Sequence, residues 1–192
     1  NNALGSGALS GNTSGVENNA LGTTALLSNT TGGYNNAFGK DSMRLSDTGS
    51  YNNAFGYHTL FSNSSGHNNN ALGTYALDSN TTGAYNNAFG AESLGANTTG
   101  ASSTALGANA GRANTTGSLN VYLGLNAGYQ EETNGSVTGP TTPNNLTNAI
   151  AIGSNAQVTT SNTLVLGGRG AYSVNTVLGT TSAWAKLSIQ NT

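Results

Sequence analysis

Cysteine is absent from the 192 residues, proline occurs twice, and only 6% of positions are charged, five basic against seven acidic. Without cysteine there is neither a disulfide framework nor a thiolate metal site. Five scattered Lys and Arg leave no electrostatic footprint for nucleic acid and no polybasic patch for a membrane surface. No apolar run approaches the ~18 residues of a transmembrane helix, so direct membrane insertion of this segment is not expected. No signal peptide precedes the first repeat, and the chain opens in mid-repeat at Asn1-Asn2-Ala3-Leu4-Gly5, as expected of a processed product or a piece of something longer. Apolar residues make up 35%, a level often seen in disordered chains, but those carry high net charge or many prolines, whereas here the net charge is −2.

Glycine is abundant, with 28 residues, and its placement is regular. Gly5, Gly22, Gly39, Gly56, Gly73, Gly90, Gly107 and Gly124 recur with a 17-residue period, most of them after Asn-Asn-Ala-Leu or Asn-Asn-Ala-Phe. A second series, Gly15, Gly32, Gly49, Gly66, Gly83, Gly100 and Gly117, keeps the same period. Between them a slot holds Leu9, Leu26, Met43, Leu60, Leu77 and Leu94, each preceded by a small residue. A fixed period of this kind signals a repeat architecture. Two glycines per repeat among Asn and Thr argue against a helix, at about 1 kcal/mol per Gly relative to Ala. The pattern predicts an all-β parallel β-solenoid, or β-roll, each coil made of two short strands joined by glycine bends at which φ > 0 is reached without steric cost. At about 4.8 Å per coil, eight coils span roughly 38 Å.

Stacking places identical side chains above one another. The pairs Asn18-Asn19, Asn35-Asn36, Asn52-Asn53, Asn69-Asn70 and Asn86-Asn87 are therefore expected to form structural amide ladders. With one or two large apolar residues per coil, the core is thin for a lone chain, which favours an oligomer of three chains around an axis.

The rule breaks in three places. Coils seven and eight drift: Ser103-Thr104 replace the Asn pair, and Gly111 and Gly128 stand in the Leu slot. The next anchor after Gly124 is Gly153, and the extra residues, about Tyr129 to Thr147, include Gln130, Glu131, Glu132, Pro140 and Pro143. They read as an inserted loop or as a junction between coil types. Finally, Ala185 to Gln190 alternates apolar and polar like a half-buried strand. The organisation is then a solenoid of 17-residue coils over 1–128, a loop or junction over 129–147, and 14-residue coils with a strand segment over 148–192.

The string Asn80-Thr81-Thr82-Gly83-Ala84-Tyr85-Asn86-Asn87-Ala88-Phe89-Gly90 resembles repeats of bacterial and phage fibre proteins related to the heads of trimeric autotransporter adhesins. Ala149-Ile150-Ala151-Ile152-Gly153 and Leu164-Val165-Leu166-Gly167, set at a 14-residue spacing, are similar to the adhesin head repeat itself. The stretch from Val174 to Ile189 resembles the segment that precedes an endosialidase-type intramolecular chaperone in tail-fibre proteins. The resemblance implies a homotrimer of left-handed parallel β-rolls, displayed outside the cell, on its surface or on a virion.

Candidate contact residues lie where the repeat varies. Tyr34, Tyr51 and Tyr85 share one coil position, and an exposed aromatic column can stack on sugar rings or pack against a neighbouring chain. With Tyr129, Gln130, Glu131 and Glu132 they are the expected receptor or partner contacts, the partner being a host-cell glycan or surface protein. His58 and His67 lack an acidic ligand set and read as surface residues. Gly39-Lys40-Asp41-Ser42 places Asp where a phosphate loop needs Ser or Thr after Lys; Lys40, Asp41, Arg44 and Asp47 read instead as a solvated charge cluster. The Gly-Gly-x-Gly-x-Asp calcium repeat is missing as well. Asn29, Asn63, Asn80, Asn97 and Asn114 begin N-x-S/T sequons that coincide with the turn signature. No nucleophile, base and orienting group converge, so an enzyme is not expected and no cofactor or metal is called for. The leading expectation is a structural and adhesive fibre segment. The alternatives are a head-to-tail filament subunit, since neither end shows a polar cap, and an ice-binding protein with stacked Thr-Thr columns such as Thr81-Thr82.

Overall fold

The computed structural model describes residues 1–129 and 145–168. Ten three-residue strands, β1 (Asn2–Leu4), β2 (Asn19–Leu21), β3 (Asn36–Phe38), β4 (Asn53–Phe55), β5 (Asn70–Leu72), β6 (Asn87–Phe89), β7 (Thr104–Leu106), β8 (Val121–Leu123), β9 (Ile150–Ile152) and β10 (Leu164–Leu166), form one parallel sheet in chain order. This is a β-solenoid of about nine turns, with no helix among the described residues. Register follows the sequence period: Ala20 pairs with Ala37, Ala37 with Ala54, and Ala54 with Ala71. β9 takes its place beside β8 across the long gap between anchors, with Tyr122 opposite Ala151, and β10 follows at the shorter, 14-residue spacing. The segment 130–144, with Pro140 and Pro143, and the segment 169–192, with the expected strand at 185–190, lie outside the described residues.

Among the described residues each coil contributes one strand where two were expected. The slot around Leu26 is a run of turns whose backbone leaves the β region: Leu9, Leu26, Met43, Leu60, Leu77 and Leu94 all have φ between 48° and 53°. An L-residue in this left-handed region costs roughly 1–2 kcal/mol. Hydrogen bonds between coils hold it there. Leu26 N–H donates to the carbonyl of Ser42 at 3.0 Å, and Leu77 N–H to that of Ser93 at 3.0 Å. The side chain turned inward by this geometry is fully buried against the strand alanines, so Leu26, Met43, Leu60 and Leu77 with Ala37, Ala54 and Ala71 form the core.

The two glycine series answer different needs. The anchors have φ between 125° and 142° up to Gly124, a conformation that L side chains rarely adopt, and their bare Cα atoms let successive coils touch. The second series has no left-handed φ. There a Cβ on Gly83 would overlap the Asn80 side chain and the Gly100 carbonyl, so packing alone requires glycine.

Asparagine forms three columns. In the outer one, Asn19 donates its amide to Asn36 Oδ1 and Asn36 to Asn53 Oδ1, each at 2.7 Å. The preceding asparagines are buried and bond mainly to backbone. Asn69 Oδ1 accepts Asn86 N–H at 3.0 Å, and its amide donates to the Gly83 carbonyl at 2.8 Å. Ser103 continues this column, accepting from Asn120 N–H through its hydroxyl at 3.2 Å. The third column consists of the sequon asparagines, also buried: Asn97 donates to Asn80 Oδ1 and Asn80 to Asn63 Oδ1, each at 2.8 Å.

Coil three breaks that third column, because Ser46 stands between Asn29 and Asn63. Asn29 Oδ1 and the Ser46 hydroxyl are both buried without a hydrogen-bond partner. An unsatisfied buried polar group costs about 1–3 kcal/mol. Ser46→Asn restores the donor that neighbouring ladder steps have and is expected to stabilise the protein by ~1 kcal/mol, read as a rise in thermal midpoint. No rise would mean that the ladder does not limit stability at this coil.

The glycines that break the Leu slot have a compensating partner. At β8 the strand alanine is replaced by Tyr122, only 3% exposed. Its ring fills the space above both Gly111 and Gly128, where any Cβ would run into it. Burial raises the phenol pKa of Tyr122 above its ordinary value.

Candidate binding surfaces

Three faces run along the solenoid, each built by repetition of a few coil positions. The first is the outer face of the sheet. Alternation turns the middle alanine of each strand inward, so its flanking residues point outward. The third strand residue is apolar in every coil: Leu4, Leu21, Phe38, Phe55, Leu72, Phe89, Leu106, Leu123, Ile152 and Leu166. Leu4 is 71% and Leu72 50% exposed, and Phe38 stacks on Phe55 with centroids 5.0 Å apart. Beside this stripe the outer asparagine ladder gives way at β8 to β10 to Val121, Ile150 and Leu164, so the face becomes apolar on both sides. Apart from the half-buried Phe38 and Leu123 these side chains are exposed. An apolar stripe of this length is uncommon on an isolated soluble chain, which makes this face a candidate interaction surface.

The second face carries Tyr34, Tyr51 and Tyr85, all in the left-handed region, with φ of 60°, 60° and 61°. Tyr34 and Tyr51 stack with centroids 4.8 Å apart and planes 1° from parallel. Each therefore covers one face of the other, leaving only the outward ring faces of the pair for a ligand. Tyr85 is separated from them by Asn68 and meets the edge of His67 at 5.2 Å.

The third face was not singled out by sequence reasoning. It is made by the second and fifth positions after each anchor glycine, where the repeat has no consensus. Of the eight charged residues within the described segments, all but Glu17 and Asp47 stand on it or directly beside it. Asp41 lies between Lys40 at 3.9 Å and Arg44 at 3.8 Å, whereas Asp47 bonds to Thr30 in a different column. The expected four-residue charge cluster is thus a three-residue one. His58 stacks on Phe61 with centroids 3.8 Å apart and meets Asp78 at 2.5 Å, so it is a partnered residue of this face; His67 belongs to the tyrosine face. Arg112 bonds Glu92 at 2.8 Å and the Tyr129 hydroxyl at 2.9 Å. Tyr57 meets Tyr75 edge to face at 5.4 Å, and a hydrogen bond between the two, then desolvation, raises the Tyr75 pKa. The available signal was the clustering of chemistry at two variable positions of a repeat that is otherwise uniform.

Tyr129 thus stands on the third face, apart from the tyrosine column, and Gln130, Glu131 and Glu132 lie outside the described residues. The threonine columns are bonded into the scaffold: the Thr81 hydroxyl donates to the Thr98 carbonyl and that of Thr98 to the Thr115 carbonyl, each at 3.0 Å. Among the described residues no group of three His, Asp or Glu side chains is placed to hold a metal ion. Compared with protein-family models, curated proteins and solved structures, the chain gives no match.

Proposed function

We propose that this chain is a non-enzymatic structural and adhesive segment of an extracellular fibre, a surface adhesin or a tail fibre, in which three copies pack around a common axis and display their remaining faces to a host-cell glycan or surface protein. The observation that carries this reading is the apolar stripe from Leu4 to Leu166 on the outer face of the sheet. A second copy meeting that stripe buries the side chains that the thin core of one coil leaves outside, at about 25 cal/mol per Å². The adhesin-like spacing of Ile150-Ala151-Ile152 and Leu164-Val165-Leu166 supports three copies, and it falls where the face is most apolar. The uniform interior of Asn ladders and Leu/Ala core suits a rigid spacer, with chemical variety kept to the faces it displays.

Because the sequence has no cysteine, a direct test is simple. Leu72→Cys, treated with a short bismaleimide, is expected to give covalently joined chains, while Tyr51→Cys on the tyrosine face stays single. Negative-stain images of the same preparation are expected to show rods with threefold end views. Single chains from Leu72→Cys together with globular particles would remove the reading.

A further inference from the structure

Away from its first coil, where Gly7 stands, the third face is interrupted at Gly95. At the fifth position after the anchor, successive coils carry Arg44, Phe61, Asp78, Gly95 and Arg112, so at Gly95 the column has no side chain. The gap is a notch of about 360 Å³ between the coils above and below it, lined by Tyr75, Asp78, Ser79, Glu92, Gly95 and Arg112. Its walls are held before any ligand arrives. Asp78 is fixed by His58, which is itself clamped on Phe61. Glu92 is fixed by Arg112, which is braced by Tyr129, and Tyr75 is braced by the edge of Tyr57.

We propose that this notch is a saccharide-binding site, taking a neutral hexose or N-acetylhexosamine unit of a larger glycan. The proposal rests on reading the chain as an adhesive segment, and it places the glycan contact on this face in preference to the tyrosine column. Three observations select the ligand class. Both carboxylates are already engaged, Asp78 by His58 and Glu92 by Arg112, which argues against a metal ion or an amine. Their presence beside the single guanidinium also disfavours an anionic sugar. What is left over is unused lone pairs on Asp78 and Glu92, the remaining N–H donors of Arg112, the Ser79 hydroxyl and a Tyr75 ring that is 38% exposed. Vicinal hydroxyls both donate and accept, so they can bridge a carboxylate and a guanidinium. The apolar face of a pyranose suits an aromatic wall. Pre-held side chains lose little freedom on binding, which favours affinity.

The test is binding of the intact protein to an array of immobilised neutral and sialylated oligosaccharides. Two filling variants are available at low structural risk, because Leu27 and Leu45 occupy the matching positions of coils two and three. Gly95→Leu and Ala96→Leu are each expected to weaken binding to neutral glycans by at least about tenfold, and Glu92→Gln to weaken it by about tenfold, with unchanged thermal midpoints. Tyr51→Ala should leave binding unchanged. Binding that survives both filling variants but is lost in Tyr51→Ala overturns the notch and keeps the adhesive reading. Binding to sialylated glycans alone overturns the ligand class, and no binding to any glycan overturns the proposal. The fibre reading stands or falls separately, on whether the same protein is a threefold rod.

Discussion

Gly73→Ala is expected to destabilise the solenoid by about 4 kcal/mol or more, enough to unfold the coils around it at physiological temperature. Two effects add at this position. The backbone has φ of 136°, a region that costs an L-residue roughly 1–3 kcal/mol. A Cβ there would also lie 2.5 Å from the Gly90 carbonyl oxygen and 2.6 Å from its carbon, so the next coil has to move away. That movement breaks the register that all later coils depend on, because a solenoid transmits stability through nearest-neighbour interfaces. Gly33→Ala is the control: Ala84 occupies the same coil position, and the change is expected to stay within ~1 kcal/mol of the native protein. Thermal and urea unfolding of the two variants side by side checks both figures. Equal, small effects would mean that coils do not approach each other through the anchor glycines.

The second large effect is a coupling. Tyr122→Ala is expected to cost about 3–5 kcal/mol, since it empties the space that the ring fills above two glycines. Gly111→Leu with Gly128→Leu is expected to be just as harmful, because the new side chains enter the volume of the ring. The triple variant recreates the ordinary coil, with alanine in the strand and leucine in the slot. Gly111 and Gly128 have φ of 62° and 66°, close to the 48° of Leu94 and 51° of Leu77, so leucine fits the backbone there. Stability is therefore expected to return to within ~1 kcal/mol of native, an interaction of about 3 kcal/mol or more among three positions. Additive losses would show that the ring and the glycines are not exchanging volume.

These two cases also show what the sequence made legible. The 17-residue period, the anchor glycines and the passage to a 14-residue spacing could be read directly, because stacking demands that like positions recur. The number of strands per coil could not. A buried Leu beside a small residue looks the same whether the backbone is extended or left-handed; the φ of 51° at Leu26 and at Leu77 decides it, and bonds to the neighbouring coil hold it there. The glycines at 111 and 128 looked like decay of the repeat, since their compensation sits at Tyr122, in another column of the coil. The sequon asparagines were read as part of the turn signature, and the buried ladder that Asn80 and Asn97 also form there was not visible.

Among the candidate surfaces, the tyrosine column was visible because one residue type recurs. The notch was not, because it consists of unlike residues brought together at positions 75, 78, 92, 95 and 112. Its defining feature is a missing side chain, which no motif records.

The most direct test of the account is the mass of the protein in solution, measured by sedimentation equilibrium on the native chain and on Phe55→Glu/Leu72→Glu. Both substitutions place charge on the apolar stripe while leaving the core and the ladders untouched. The native chain is expected at three times the single-chain mass, and the double variant at the single-chain mass with an unchanged β-type spectrum. A native chain that remains monomeric at tens of micromolar, or a double variant that still assembles, would contradict the claim that this stripe builds the fibre.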